Sequence, residues 1–369
     1  MFGLIFSLAV TIPNVYVFLR LRKLFINKGY RVYYVLLYLM FIGIYLFISS
    51  YPEGYKGFLT GILTPIARYI LAYYLYLFLT VLMIDILLLL NRYIKTLSLE
   101  RIETTKFKVY GMTVTLLLPF VILVAGILNF KTIRISEYQI EVPRKSAKID
   151  HLRIAFAADF HLRRATDIHF AERFKEKIAA IDPDILLLGG DILEGYRQEK
   201  MLIRYEKMFR EILPRYGIFA VLGNHDYKSR LSKGEFFDLA GITVLSDSIA
   251  VVDNSFNLAG RIDSKYPRKS SSDLLKSAVD SLPVILLDHR PTELELASKS
   301  AVDIQFSGHT HNGQLFPINF IIKSMYTLSW GYKKISKTHF FVTSGIMLWG
   351  PPVRTTGKSE IVVVNVVFK

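Results

Sequence analysis

The hydrophobic rhythm of the chain changes near residue 130. Before it, long apolar stretches alternate with short basic loops. Residues 2–19 and 32–50 carry no charge, 69–90 carry only Asp85, and 109–129 carry none. A helix needs about 20 apolar residues to cross a bilayer, so the pattern predicts four transmembrane helices at 2–19, 32–50, 69–90 and 109–129. Pro13 and Asn14 interrupt the first. Gly61, Pro65 and Arg68 mark residues 57–68 as a break or interfacial piece before the third. Asp85 lies near a span end, where it is expected to reach the interface or pair with Arg92 or Lys95.

After residue 131 the apolar runs shorten. Ile133 to Val142 alternates loosely and predicts a strand. Residues 167–181 and 199–213 have helical spacing, closed by Asp182-Pro183 and Pro214. Four to five apolar residues precede each of Asp159-Phe160-His161, Gly189-Gly190-Asp191, Gly223-Asn224-His225-Asp226 and Asp288-His289. A fifth run, from Val302 to Phe306, leads into Gly308-His309-Thr310-His311. Such runs read as buried strands. Beyond Gly241 short strands are expected at 257–261, 339–343 and 360–368, with helices near 271–280 and 292–299. The alternation predicts an α/β domain over 131–369, preceded by an all-α transmembrane region over 1–130.

In layered α/β folds, sites form beyond the carboxyl ends of strands. Five strand ends would therefore bring metal-capable side chains to one place, and five of the eight histidines lie in these motifs. Asp159 and His161 share one side of an extended segment. Asp191, behind two glycines, can bridge two cations about 3.5–4 Å apart. The amide oxygen of Asn224 is a hard neutral ligand. His225 is then left for proton transfer, with Asp226 fixing its tautomer. His309 and His311 can present imidazoles to adjacent metals. Each motif alone has a plainer reading, as a capped turn or a surface histidine. Their order along one chain favours the metal reading.

Composition narrows the function. There is no cysteine, which excludes disulfides, thiolate zinc sites and cysteine nucleophiles. The net charge of +15 divides into +8 over residues 1–129 (12 basic, 4 acidic) and +7 over the rest (34 basic, 27 acidic). The first share sits mostly in loops 20–31 and 91–108, which hold five basic residues each against Lys56 alone in 51–57. The positive-inside rule puts those two loops in the cytoplasm and residues beyond 130 on the extracytoplasmic side of an inner or plasma membrane. No aromatic-basic interleaving points to nucleic acid. The lipid bilayer and an anionic phosphate-ester substrate are sufficient partners, and oligomeric state is left open.

Asp-x-His, Gly-Asp, Gly-Asn-His-Asp, His and Gly-His-x-His, in this order, resemble the calcineurin-like metallophosphoesterases over about residues 133–369. The tail from Phe341-Val342-Thr343-Ser344-Gly345 to Pro352-Val353-Arg354 resembles the membrane-associated bacterial branch, which includes UDP-diacylglucosamine hydrolase-like phosphodiesterases. The resemblance implies a four-layer α/β/β/α sandwich. It implies one metal on Asp159, His161, Asp191 and His311, and a second on Asp191, Asn224, His289 and His309. His225 would protonate the leaving oxygen, steadied by Asp226. Two divalent cations would activate a hydroxide for attack on phosphorus, and imidazole ligands favour Mn, Fe or Zn over Mg. Glu194 departs from the aspartate that many relatives carry after Gly-Asp-x-x. Asn312 departs from a glycine and is a substrate-binding candidate with Arg163, Arg164 and Arg290.

The function expected is hydrolysis of phosphomono-, phosphodi- or pyrophosphate esters, lipid-linked ones included, by a membrane-anchored enzyme. A non-catalytic metal-binding sensor or interaction protein of the envelope is the alternative. The scarcity of intramembrane charge disfavours a transporter.

Overall fold

The computed structural model describes residues 2–49, 58–95, 98, 102–162, 167–194, 199–228 and 233–369. The chain divides into two compact units, Met1–Leu128 with Gly350–Val353, and Asn129–Trp349 with Arg354–Lys369.

The first unit is helical, with α1 (Phe2–Phe25), α2 (Arg31–Ser49), α3 (Phe58–Ile94) and α4 (Thr105–Phe130). Among the described residues, three helical segments are long and apolar enough to cross a membrane: Lys28–Leu46, Ile66–Ile94 and Thr105–Phe130. Four were expected. The remaining stretch, 2–19, falls within α1, whose side chains are described only from residue 10. Of the break or interfacial piece expected over 57–68, the break is corrected for every described residue, because α3 runs unbroken from Phe58, while the candidate span within it begins at Ile66. Proline there removes one backbone hydrogen bond, and the long apolar helix absorbs the loss.

Asp85 also differs from expectation. Its carboxylate accepts from Arg20 Nε at 2.6 Å, from Arg20 Nη2 and from the Tyr16 hydroxyl, all on α1. Arg92 is about two helical turns further along, roughly 10 Å of rise, whereas a neighbouring helix offers a partner at the same depth. Val17, Leu21, Tyr34, Leu77 and Val81 fill the apolar core around this pair.

The second unit is built on two six-stranded sheets. The strands are β1 (Ile133–Val142), β2 (His151–Ala157), β3 (Ile185–Leu188), β4 (Ile218–Ala220), β5 (Ile242–Val244) and β6 (Ser248–Val252). They continue with β7 (Phe256–Gly260), β8 (Val284–Leu287), β9 (Ile304–Ser307), β10 (Gly331–Ile335), β11 (Thr338–Val342) and β12 (Ser359–Phe368). One sheet has the order β1-β12-β2-β3-β4-β5, the other β10-β11-β9-β8-β7-β6. The central strands β2, β3, β4 run parallel, as do β7, β8, β9. Parallel strands covered on both faces read as continuous apolar runs, which is how β3 (Ile-Leu-Leu-Leu) and β8 (Val-Ile-Leu-Leu) read.

Helices α5 (Ile168–Ile181), α6 (Glu199–Arg210), α7 (Asn224–Lys228), α8 (Lys233–Leu239), α9 (Ser271–Leu275), α10 (Leu294–Ser298) and α11 (Ile318–Met325) complete the unit. Phe170 and Phe174 of α5, Phe209 of α6 and Phe236 of α8 pack on Ala155, Leu186 and Val363 of the first sheet. The opposite face of that sheet, with Ile154, Phe156 and Leu187, meets Leu258, Ile285 and Phe306 of the second. Leu274 and Leu275 of α9 cover the far side beside Leu286. The apolar clusters thus stack as helices, sheet, sheet, helices. The carboxyl ends of β2, β3, β4, β8 and β9 open at one edge of this stack.

Candidate metal centre

The ligand-bearing loops are sewn together by backbone bonds that extend the β-ladders. Asp159 N–H donates to Gly190 O and His161 N–H to Asp191 O, both at 2.9 Å, and Leu162 bridges to Leu193 in parallel. Gly308 N–H donates to His289 O at 2.9 Å. His309 N–H reaches the Asp159 carboxylate at 3.0 Å, and His225 N–H reaches Asp191 Oδ1 at 2.7 Å. Strand order therefore places every predicted ligand in one region.

The backbone is bent to do this. Asp159, His161, Asp191, His309 and His311 all have positive φ, from 44° to 70°. A non-glycine residue in that region costs of order 1–3 kcal/mol, and such residues concentrate at functional sites. Gly190 has φ +90°, and a Cβ on it would lie 2.7 Å from His289 Nδ1. A side chain at Gly223 would overlap the Asp191 carboxylate. Small residues are needed where these loops cross.

Three clusters of potential ligands result. Asp159, His161 and His311 form one, Asp191, His289 and His309 another, and His161, Asp191 and His225 a third that joins them, each with ligand atoms within 4.8 Å of one another. His161 Nε2 faces His311 Nε2 at 3.2 Å, and His311 Nε2 is 3.8 Å from Asp159 Oδ1. Asp191 Oδ2 lies between the halves, 3.4 Å from His289 Nε2 and 4.0 Å from His161 Nε2. Asn224 is buried, and its Oδ1 accepts from Arg290 Nη2 at 2.8 Å.

The donor set fits cations. His289 Nδ1 lies 2.7 Å from Gly189 O, so it donates and its lone pair sits on Nε2. Yet Nε2 is buried without an aligned hydrogen bond, and it faces a carboxylate. Two lone pairs at that distance need a proton or a cation between them. The electrostatics agree. Burial opposes charge on His289, but Asp191 outweighs it and raises the imidazole to about 10. Burial likewise works to raise Asp191, and His289 and His161 hold it well below the usual carboxylate range. Burial pushes Asp159 up to about 6. Burial, with His161 as a cationic neighbour, pulls His311 well down. A divalent cation would replace the proton between His289 and Asp191, and imidazole with carboxylate is a donor set that transition-series cations bind.

One expected role is corrected. Asp226 does not steady His225. Its Oδ1 accepts from Ile192 N at 3.0 Å and Leu193 N at 2.7 Å, and its Oδ2 accepts from Gly223 N at 2.8 Å. It clamps the β3 and β4 loops together. Being adjacent in sequence on the short helix α7, it points away from its neighbour. Glu194 takes the place beside His225, with Oε1 3.2 Å from Nδ1, and its Oε2 lies 3.3 Å from His161 Nδ1. The signal was present as an acid three residues past Asp191, just beyond a strand end. Half-buried His225 thus keeps Nε2 for proton exchange.

Of the substrate-binding candidates, Arg163 and Arg164 lie outside the described residues. Arg290 joins the site, held by Asp263 at 2.8 Å and touching Asn224. Asn312 sits on the rim with φ 49°, its carbonyl accepting from Thr356 Oγ1 at 2.9 Å.

Comparison with known proteins matches this geometry to a family. The family model for Calcineurin-like phosphoesterase covers residues 152–313. A metallophosphoesterase of Aquifex aeolicus is 32% identical over 243 residues, covering 63% of this chain and 92% of the relative. The chain belongs to the calcineurin-like metallophosphoesterases. A family member from Campylobacter jejuni is 31% identical over 248 residues, and the chain spans only 63% of its length. A Danio rerio relative described as a transmembrane protein with metallophosphoesterase domain is 29% identical over 302 residues, covering 76% of this chain and 68% of the relative. The matched segment contains every residue of the three clusters.

Proposed function

We propose that the protein is a membrane-anchored, dinuclear metal-dependent phosphohydrolase acting on phosphomono-, phosphodi- or pyrophosphate esters, lipid-linked esters included, with its catalytic unit extracytoplasmic. The observation that carries this reading is the buried Nε2 of His289, which faces Asp191 Oδ2 at 3.4 Å without an aligned hydrogen bond. Asp159, His161, Asp191 and His311 would hold one cation, and Asp191, Asn224, His289 and His309 the other. When bound, Mn, Fe or Zn would supply Lewis-acid charge to a phosphoester and lower the pKa of water.

The chain's own groups supply the rest. Asp191 serves both halves because its carboxylate lies between them. His225 delivers the proton from Nε2 to the leaving oxygen, and Glu194 stabilises the charged ring that donates it. Arg290 Nη2 donates to the Asn224 amide oxygen at 2.8 Å and so fixes which end of the amide is the acceptor. The His225–Glu194 pair supports turnover over a silent sensor, since binding alone needs no proton donor at the rim.

Three apolar helices, and relatives from Danio rerio and Bos taurus described as transmembrane proteins, support membrane association. The basic loops 20–31 and 91–108 support the extracytoplasmic placement. The test is a metal screen. The full chain is stripped with chelator, reloaded with Mn, Fe or Zn, and assayed on aryl monoesters, aryl diesters and pyrophosphate lipids. Restored turnover with two metals per chain is expected. Stoichiometric metal without turnover on any substrate class would favour the sensor.

A further inference from the structure

Helix α11 leaves the metal site at once and buries none of its residues. It begins five residues after Gly313, whose φ is +70° and whose Cβ would lie 2.5 Å from Asn319 Cα. The helix is therefore pinned against the His311 loop. Its large apolar side chains nevertheless point to solvent: Phe320 is 60% exposed, Ile321 61% and Met325 65%, with Phe316 at 48% stacked edge-on against Phe320 at 5.7 Å. Phe316, just ahead of the helix, joins Phe320 by this ring contact, and Ile321 and Met325 make an i, i+4 pair on the adjacent row, so the four side chains form one exposed apolar patch. Exposed Lys323 lies about 200° around the helix from Ile321 and Met325, at the polar flank of the stripe next to Phe320.

Two further observations say what covers this stripe. The first is charge. From Ile304 to Ser359 there is no acidic residue, and Lys323, Lys333, Lys334, Lys337 and Lys358 in that stretch are all exposed. The second is bonding to Asn129 and Phe130, the residues that end the last apolar helix and belong to the same unit as α11. Asn129, in the final turn of α4, donates to Arg354 O at 3.0 Å and Gly357 O at 2.6 Å, and Ser359 Oγ donates to Phe130 O at 2.8 Å. The same segment holds the site rim, through Thr356 to Asn312 and through Phe316 N–H to Thr355 Oγ1 at 2.8 Å. Asn129 and Phe130, segment 354–359, Asn312 and the residue ahead of α11 are thus hydrogen-bonded to one another within the second unit.

We propose that α11 is an interfacial helix that seats its Phe316, Phe320, Ile321 and Met325 stripe in an anionic phospholipid surface. An amphipathic helix with aromatic and aliphatic groups on one face and lysines around it binds this way. The metal site then opens at headgroup level. Resting on the phosphohydrolase reading above, this makes its substrate a phosphoester carried by a lipid in the same leaflet.

The chain has no cysteine, so single probes can be placed. Full-length Ile321→Cys and Lys323→Cys proteins, labelled with an environment-sensitive fluorophore, are reconstituted into phosphatidylglycerol–phosphatidylethanolamine vesicles. The label at 321 should shift blue and be quenched by nitroxide lipids, while that at 323 stays accessible to iodide. Equal aqueous exposure at both positions would overturn the proposal. Shielding at 321 without quenching by lipid would assign the stripe to a protein or a second copy, and would overturn it too. In a second arm, the exposed-site double variant F320E/I321E should lose about tenfold or more in rate on a phosphoester lipid, the scale of losing interfacial anchors, with its rate on a soluble aryl phosphodiester within about twofold. Equal loss on both substrates, or none, would count against the surface. Failure of the wild type on every ester would sink the hydrolase reading, and the fluorescence arm would still decide the fate of α11.

Discussion

Glu194 holds the place beside His225 that was expected of Asp226, and the variants Asp226→Asn and Glu194→Gln separate their roles. Asp226 accepts three buried N–H bonds, from Ile192, Leu193 and Gly223. An asparagine amide can keep only one side. If its oxygen keeps Ile192 and Leu193, its NH2 meets the Gly223 N–H. Losing one charge-assisted bond and stranding a buried donor costs about 3–5 kcal/mol. Burial, with Asp191 nearby, already pushes Asp226 up to about 6, so removing its charge returns part of that, leaving about 1–3 kcal/mol. The variant should melt several degrees lower yet keep most of its rate per folded molecule. Glutamine at 194 can still accept from His225 Nδ1, so geometry survives and charge does not. At an effective dielectric near 20, a unit charge pair at contact distance is worth about 4 kcal/mol. A proton partly transferred in the transition state realises about 1–2 kcal/mol of this, or about 10- to 30-fold in rate. Melting temperature, metal content and turnover are measured on both variants. A Glu194→Gln enzyme with unchanged turnover, beside an Asp226→Asn enzyme that melts normally but is slow, would refute the assignment.

Asp191→Asn should abolish activity and lower metal content, because one carboxylate serves both clusters; two metals per chain by elemental analysis with normal turnover would contradict it. His225→Ala should retain metal but lose about 10²–10⁴-fold in rate, less for esters with good leaving groups; equal losses for good and poor leaving groups would count against protonation by His225. In chelated protein, His289 is raised to about 10 from an ordinary 6.5, so its contribution to stability is complete below about 6.5 and fades as pH rises through 10. The melting temperature of the chelated form should therefore fall between pH 7 and 10 more than that of the metal-loaded form, and parallel curves would argue against a proton standing in for a cation. A phosphatase reporter fused after Lys131 should be active and a green fluorescent reporter dark; the reverse pair would place the catalytic unit in the cytoplasm.

The candidate ligands were legible because each follows a strand. A buried parallel strand must be a short apolar run, and the residue after it must face the sheet's carboxyl edge, so composition and position together point at the site. Five such ends converging needs no knowledge of distances. What was hidden is side-chain direction. Adjacent residues in sequence suggested that Asp226 supports His225, but α7 is helical and neighbours in a helix do not face each other. Glu194 becomes the partner only because the β2 and β3 loops pair beyond their strands, through His161 to Asp191 and Leu162 to Leu193. That register is a tertiary fact.

The same distinction governs the helical unit. For Asp85 the sequence points to the interface or to Arg92 or Lys95, since it displays only neighbours along the chain. Arg20 and Tyr16 supply it from α1, across the bundle. An acid on an apolar helix needs a counter-charge at its own depth, because exposing it to hydrocarbon costs several kcal/mol. Arg20 was read only as a topology-setting loop residue. It is also the cation paired with Asp85 across the bundle. Replacing either with a neutral residue would leave the other unpaired in an apolar setting. The physical requirement was therefore visible in the sequence as a lone acid, while the identity of the residue meeting it depended on which helices pack.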